Sequence, residues 1–134
     1  MQIRAAVPAD MEAILAEDRW VSREILCQKI RDRQVYVVVD NDRFVGWLRY
    51  GLFWDNVPFM NMLRLTEEYR GKGIGKALVK HWEREMRALG YSVALTSTAQ
   101  TECAQHFYGK LGYQAIGSFT LAEEPLELLF AKLL

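Results

Sequence analysis

Arg70-Gly71-Lys72-Gly73-Ile74-Gly75-Lys76 sets three glycines among four longer residues, after an apolar run and before an amphipathic one. Glycine lets a backbone turn tightly and come close to a ligand, because no Cβ stands in the way. A helix that starts here offers unpaired N–H groups and about half a positive charge, which suits an anion. The arginine and two lysines add to that, so the segment reads as a phosphate cradle. A nucleotide P-loop needs four residues between its glycines and a hydroxyl after its lysine. Here three residues separate Gly71 from Gly75, and Ala77 follows Lys76. The dinucleotide fingerprint needs a third glycine where Lys76 stands. A plain turning loop stays open on the glycines alone.

Other reactive side chains form no such pattern. Cys27 and Cys103 lie far apart without metal-ligand spacing, and both are expected as ordinary buried thiols. His81 and His106 have no Ser or Cys partner pattern and receive no catalytic role; no metal is expected. Tyr108 shares a helical face with Ala104, Phe107 and Leu111, which on pattern alone suits a core aromatic with a satisfied hydroxyl.

The totals restrict what these residues can serve. The chain has 134 residues, 51% of them hydrophobic, enough for one domain with a sizeable core. Seventeen basic and seventeen acidic residues give a formal net charge of zero, against broad nucleic-acid binding. No apolar run reaches the ~20 residues that span a bilayer, and Met1–Val7 lacks a secretory core. A reduced cytoplasm is the expected location. A homodimer stays open as the oligomeric state.

The elements that must carry the loop follow from periodicity. Residues 2–7 read as a strand, with Pro8 where a helix can begin. Residues 9–17 and 22–31 read as helices, the second capped by Ser22 with Ile25, Leu26 and Ile30 as its apolar stripe. Val35–Val39, the Asp40-Asn41-Asp42 turn and Phe44–Phe53 make a hairpin, and Pro58–Leu65 follows as a strand after Asp55-Asn56. Ile74, Leu78, Trp82, Met86 and Leu89 recur every three or four residues, opposite Lys76, Lys80, Glu83, Arg84 and Arg87, and Gly90 ends that helix. Val93–Ser97 is a strand, Thr101 is expected to cap a helix closed by Gly112, and strands near 113–120 and 126–133 finish the chain. The order β-α-α-β-β-β-α-β-α-β-β predicts an α/β fold, a mixed, largely antiparallel sheet of about seven strands with helices on both faces.

Arg70, Gly73 and Gly75 fit the pattern Arg/Gln-x-x-Gly-x-Gly/Ala, and Ala104-Gln105-His106-Phe107-Tyr108-Gly109-Lys110-Leu111-Gly112-Tyr113 supplies a second signature. Together with the element order, the chain resembles the GCN5-related N-acetyltransferase (GNAT) family over essentially its whole length. The resemblance implies a single domain over 1–134 whose loop amides, Arg70 through Lys76, hold the pyrophosphate of acetyl-coenzyme A. It implies that main-chain groups of Leu63, Arg64 and Leu65 meet the pantetheine arm, on a strand bulged away from its parallel neighbour. It implies that Tyr108 protonates the departing thiolate. Thr101 stands where the family often has a cofactor-contacting Asn, and is assigned to the cofactor as well.

The implied chemistry has an energetic demand. An alkylamine with pKa ~10.4 must lose a proton before it can attack, at a cost of about 4–5 kcal/mol at pH 7. Phe59, Met60, Asn61 and Met62 offer no carboxylate as base, although Asn61 can order a water. Asp55, Glu102, Glu123 and Glu124 are the acids near the expected cleft edges. Acceptor contacts are expected from Asp18-Arg19-Trp20, from the tail 122–125, and from Trp54 and Asp55, which could take a cationic amine by ring face and charge. The expected acceptor is an amine on a small molecule or a free peptide end. A non-catalytic coenzyme A-binding module, or a partner-binding domain whose loop binds nothing, are the rival functions.

Overall fold

The computed structural model describes residues 1–134. Its strands are β1 (Gln2–Ala5), β2 (Val35–Asp40), β3 (Arg43–Phe53), β4 (Val57–Leu65), β5 (Val93–Ala99), β6 (Gln114–Phe119) and β7 (Glu127–Leu133). Its α-helices are α1 (Met11–Glu17), α2 (Arg23–Arg31), α3 (Ile74–Ala88) and α4 (Ala104–Lys110), and short 3-10 turns occupy Pro8–Asp10 and Glu67–Tyr69. The strands form one mixed sheet in the order β1-β2-β3-β4-β5-β7-β6. The expected α/β class, strand number and element order are therefore present. The chain divides into two compact units: Met1–Tyr50 with Met62–Trp82, and Gly51–Asn61 with Glu83–Leu134.

In the first unit, β1 and β3 flank β2 in antiparallel register, with Val37 opposite both Arg4 and Trp47. The β2–β3 turn puts Asn41 and Asp42 at positive φ, the hairpin geometry that Asn and Asp tolerate best. Ser22 Oγ accepts from the Ile25 N–H at 3.2 Å, so its expected role as a helix cap holds. Ile14 of α1, with Leu26 and Ile30 of α2, packs against Val35, Val37 and Trp47. Ile25 is not in that stripe; it is 54% exposed, since its neighbour Leu26 takes the buried position.

In the second unit, β5 and β6 flank β7 in antiparallel register, and β4 runs parallel to β5. On α3, Ile74, Leu78 and Trp82, of the first unit, and Met86, of the second, are buried as the periodicity requires. Two of its assignments change. Leu89 lies past the helix end and is 65% exposed, while Glu83, expected on the polar face, is fully buried. Gly90 and Gly112 adopt positive φ after α3 and α4, and the following N–H groups bond back to Met86 O and Tyr108 O, both at 3.0 Å. α4 begins at Ala104 behind Cys103 with no side-chain cap. Thr101 is thus two residues before the cap position, Cys103, and lies exposed in a turn. Cys103 is exposed rather than buried, and Cys27 is partly covered.

Candidate functional site

The glycine loop belongs to the first unit, and the segment leading into it is anchored. As β4 ends, Thr66 N–H bonds to Val45 O at 2.7 Å, and Arg70 Nε returns to Leu65 O at 3.1 Å. Tyr69 is the post between them. Its hydroxyl donates to Asp40 at 3.1 Å, and Arg43 and Lys72 lie 5.7 and 5.6 Å from its ring centre on cation–π terms. Burial is the main reason its hydroxyl titrates above the ordinary phenol value, followed by the Asp40 carboxylate.

Gly71 and Gly73 have φ of +73° and +83°, and no heavy atom would lie within 4 Å of a Cβ at either. Chain direction, not crowding, therefore requires glycine there. The first intrahelical bond runs from Ala77 N–H to Gly73 O at 3.1 Å. The N–H groups of Ile74, Gly75 and Lys76 consequently have no acceptor within α3, and Lys72 and Lys76 stand exposed beside them. An anionic group fits this cradle by donor count, charge and open space.

One residue shaping the end of β4 has no signal in the sequence. A Cβ on Gly46 would lie 2.5 Å from Arg64 O and 2.6 Å from the Leu65 side chain. Only glycine lets β3 run so close beneath Arg64 and Leu65. Leu63 and Leu65 are half-buried, and Arg64 is exposed.

The expected acceptor segment Asp18-Arg19-Trp20 separates into two parts. Asp18 is buried, and accepts from Arg49 Nε at 2.7 Å, Arg49 NH2 at 3.2 Å, Trp47 Nε1 at 3.1 Å and Trp20 N–H at 3.1 Å. Burial pushes its carboxyl pKa up, but Arg49 and the other donors outweigh that and hold it below the ordinary range. It is a structural lock, so only Arg19 and Trp20 remain at the surface.

The second unit holds Tyr108. Buried on α4, it has Phe107, Tyr113 and Phe130 rings 5.3, 5.7 and 6.1 Å away. Burial raises its hydroxyl to about 12; a hydrogen bond with Thr96 acts against that rise and the Glu102 carboxylate with it. Tyr108 is thus both the core aromatic of the periodicity and a phenol that keeps its proton at neutral pH. Thr96 Oγ1 in turn donates to Met60 O at 3.0 Å. Tyr113 supports the ring from behind: its hydroxyl donates to Glu83 at 2.8 Å, and Lys132 Nζ pairs with the same carboxylate at 3.0 Å. Burial and then Glu83 raise the Tyr113 hydroxyl further. The second signature includes Tyr113, but nothing in the sequence links it to Glu83 and Lys132, which lie far from it in the chain.

Parallel pairing of β4 with β5 is confined to Phe59–Leu95 and Met60–Thr96, although the strands run nine and seven residues. Along β4, buried Pro58 and Met60 alternate with half-buried Phe59 and exposed Asn61, and the alternation is lost at Met62 and Leu63, two half-buried neighbours. Trp54 and Asp55 form the β3–β4 turn at φ +55° and +64°, both exposed, with Trp54 4.7 Å from Phe53. Of the acids expected near a cleft, Asp55, Glu123 and Glu124 are exposed, and Glu102 accepts from Thr98 Oγ1 at 3.2 Å. No group of three or more His, Cys, Asp or Glu is placed to hold a metal ion. No helix is long and apolar enough to cross a membrane.

Among curated proteins, no sequence matches this one. Several solved structures match it over nearly all of their length and its own. A ribosomal-protein-alanine N-acetyltransferase from Brucella melitensis is 22% identical, with TM-score 0.83 and 100% of both chains covered. The PaiA N-acetyltransferase of Thermoplasma acidophilum, solved with coenzyme A, is 18% identical, with TM-score 0.78 over 99% of this chain and 98% of that one. An aminoglycoside 6′-N-acetyltransferase, also solved with coenzyme A, is 19% identical, with TM-score 0.81 over 99% and 97%. At these identities they establish the fold. Residues 4–113 also match the sequence model of the acetyltransferase (GNAT) family. With most of its length matched by that model, the chain belongs to the GNAT acetyltransferase family.

Proposed function

We propose that residues 1–134 act as one acetyltransferase domain that moves an acetyl group from acetyl-coenzyme A to a primary amine, on a small molecule or a free peptide end. The observation that carries this is the open glycine cradle, where left-handed Gly71 and Gly73 lead into three free helix amides flanked by Lys72 and Lys76. Arg70 through Lys76 would hold the pyrophosphate, main-chain groups of Leu63, Arg64 and Leu65 the pantetheine arm, and Thr101 a further contact. Bound there, the thioester supplies an activated acetyl group. Trp54, Asp55 and Asn61 are assigned to the acceptor.

Tyr108 is the donor for the departing sulfur. With its hydroxyl at about 12 against ~8.5 for a thiol, complete transfer of the proton costs about 5 kcal/mol. Its main contribution is therefore a hydrogen bond that strengthens as negative charge develops on sulfur, the preorganised type of stabilisation. The proton released by the attacking nitrogen restores the phenol if transfer is completed.

Titration calorimetry with coenzyme A, followed by thiol release from acetyl-coenzyme A over a panel of amines, tests this reading. Binding heat together with amine-dependent thiol release is expected. Binding without release on any amine would replace the enzyme with a non-catalytic coenzyme A module, and absence of binding heat would overturn both.

A further inference from the structure

One carboxylate in the second unit is used by nothing described so far. Residues paired across a sheet share a face. The register therefore places Phe59 beside Leu95, Leu95 beside Ala131, Ser97 beside Leu129, and Ala99 beside Glu127, all on one face. Helical contacts in this unit are on the other face, where Tyr108 meets Phe130 and Glu83 meets Lys132. The open face is apolar and half-exposed, and Phe53 extends it, with its ring 6.3 Å from that of Phe59.

Glu127 is the single ionisable side chain on this face. Its Oε2 accepts from Ser97 Oγ at 2.7 Å, so the carboxylate leans from β7 across to β5. Ser97 comes directly after Thr96, the last residue of β5 paired with β4, so the carboxylate is held where the parallel pair opens. Oε1 has no donor, and no lysine, arginine or histidine pairs with Glu127. A carboxylate set among apolar side chains with no cation beside it favours a cationic occupant, because its charge is left unopposed.

We propose that Glu127, oriented by Ser97, seats the ammonium group of the acceptor, and that the acceptor is a small primary amine on an apolar or aromatic body lying along Phe59, Leu95 and Leu129. The inference rests on the acetyltransferase reading for its purpose, though not for its geometry. It also supplies the proton acceptor that sequence reasoning did not find. One proton passes from nitrogen to Oε1, leaving a neutral amine with a free lone pair and a carboxylic acid that returns the proton to water.

Phenethylamine and its uncharged counterpart phenethyl alcohol probe this without any cofactor, by ligand-observed NMR or calorimetry on the free protein. The wild-type chain should bind the amine at least tenfold more tightly than the alcohol. Glu127→Gln, nearly isosteric, should remove that difference, and Ser97→Ala should reduce it by threefold or more while affinity for the alcohol stays constant. Equal amine affinity in Glu127→Gln and wild type would overturn the proposal. So would a wild type that does not distinguish the two probes, or binds neither up to roughly 10 mM. If Glu127→Gln does not fold by circular dichroism, Ser97→Ala decides alone. Coenzyme A titration of the same samples separates the two readings: intact coenzyme A binding with no amine preference ends this proposal only, and lost coenzyme A binding in the wild type ends the acetyltransferase reading only.

Discussion

Tyr108 and Asp18 are both buried polar side chains, and their surroundings give them opposite uses. Asp18 has four donors aimed at it and is spent on holding Arg49, Trp47 and the Trp20 backbone together. Tyr108 is enclosed by aromatic rings, and burial keeps its proton on against the influence of Thr96. Tyr108→Phe removes the hydroxyl without changing the ring packing. It should lower acetyl transfer by about 10²-fold or more, the scale of a lost acid or donor, while coenzyme A affinity by calorimetry changes less than twofold. An unchanged turnover would show that another group serves the sulfur. The Phe-Tyr signature made Tyr108 legible in the sequence. Tyr113 closes the same signature, but its bond to Glu83 was not legible, nor were the pairings of Lys132, Ser97 and Glu127, because these partners lie about thirty to fifty residues apart in the chain.

At the scale of elements, the segment that leads into the glycine loop is fixed at three points. Thr66 is tied to β3 by its N–H, Arg70 to Leu65, and Tyr69 to Asp40. The close passage of Gly46 under Arg64 is part of that fixing, and predicts an effect out of proportion to one methyl group. Gly46→Ala puts a Cβ against backbone rather than against a flexible side chain. It should cost about 1–3 kcal/mol by overpacking, or more if β4 cannot yield. Chemical denaturation measures the loss, and coenzyme A affinity should fall with it as Leu65 and the loop shift. A stability within 0.5 kcal/mol of wild type, on the scale of an ordinary surface change, would mean that β4 moves freely. Helix and strand periods exposed the elements, because those signals are local. The short β4–β5 ladder was beyond the residues themselves, and the splaying of that pair entered only through the family resemblance.

Over the whole molecule, seventeen charges of each sign cancel, so acid sensitivity is decided by individual carboxylates and not by net charge. Asp18 and Asp10 both titrate below their ordinary value in the folded chain: burial acts against this in each, and Arg49 and Arg4 respectively prevail. A depressed carboxyl stabilises the fold above the unfolded pKa of ~3.9, and that contribution is lost as pH falls through the folded value. Stability should therefore be level from about pH 7 to 5 and fall below about pH 4. Asp18→Asn should flatten much of that slope while weakening the protein by about 3–5 kcal/mol throughout, since Arg49 is left buried without its partner. Urea melts across that range check both, and an unaltered slope in Asp18→Asn would assign acid unfolding to other groups. Handedness offers a separate consequence of the turn beyond α3. Gly90 sits at φ +94° with open space where a Cβ would be, a conformation natural to an amino acid of the opposite chirality. In protein assembled by chemical ligation, D-alanine at position 90 should stabilise the chain by about 0.4–1 kcal/mol by restricting its unfolded state, whereas L-alanine should destabilise it. One mirror-image residue would thus improve a chain made wholly of the other hand.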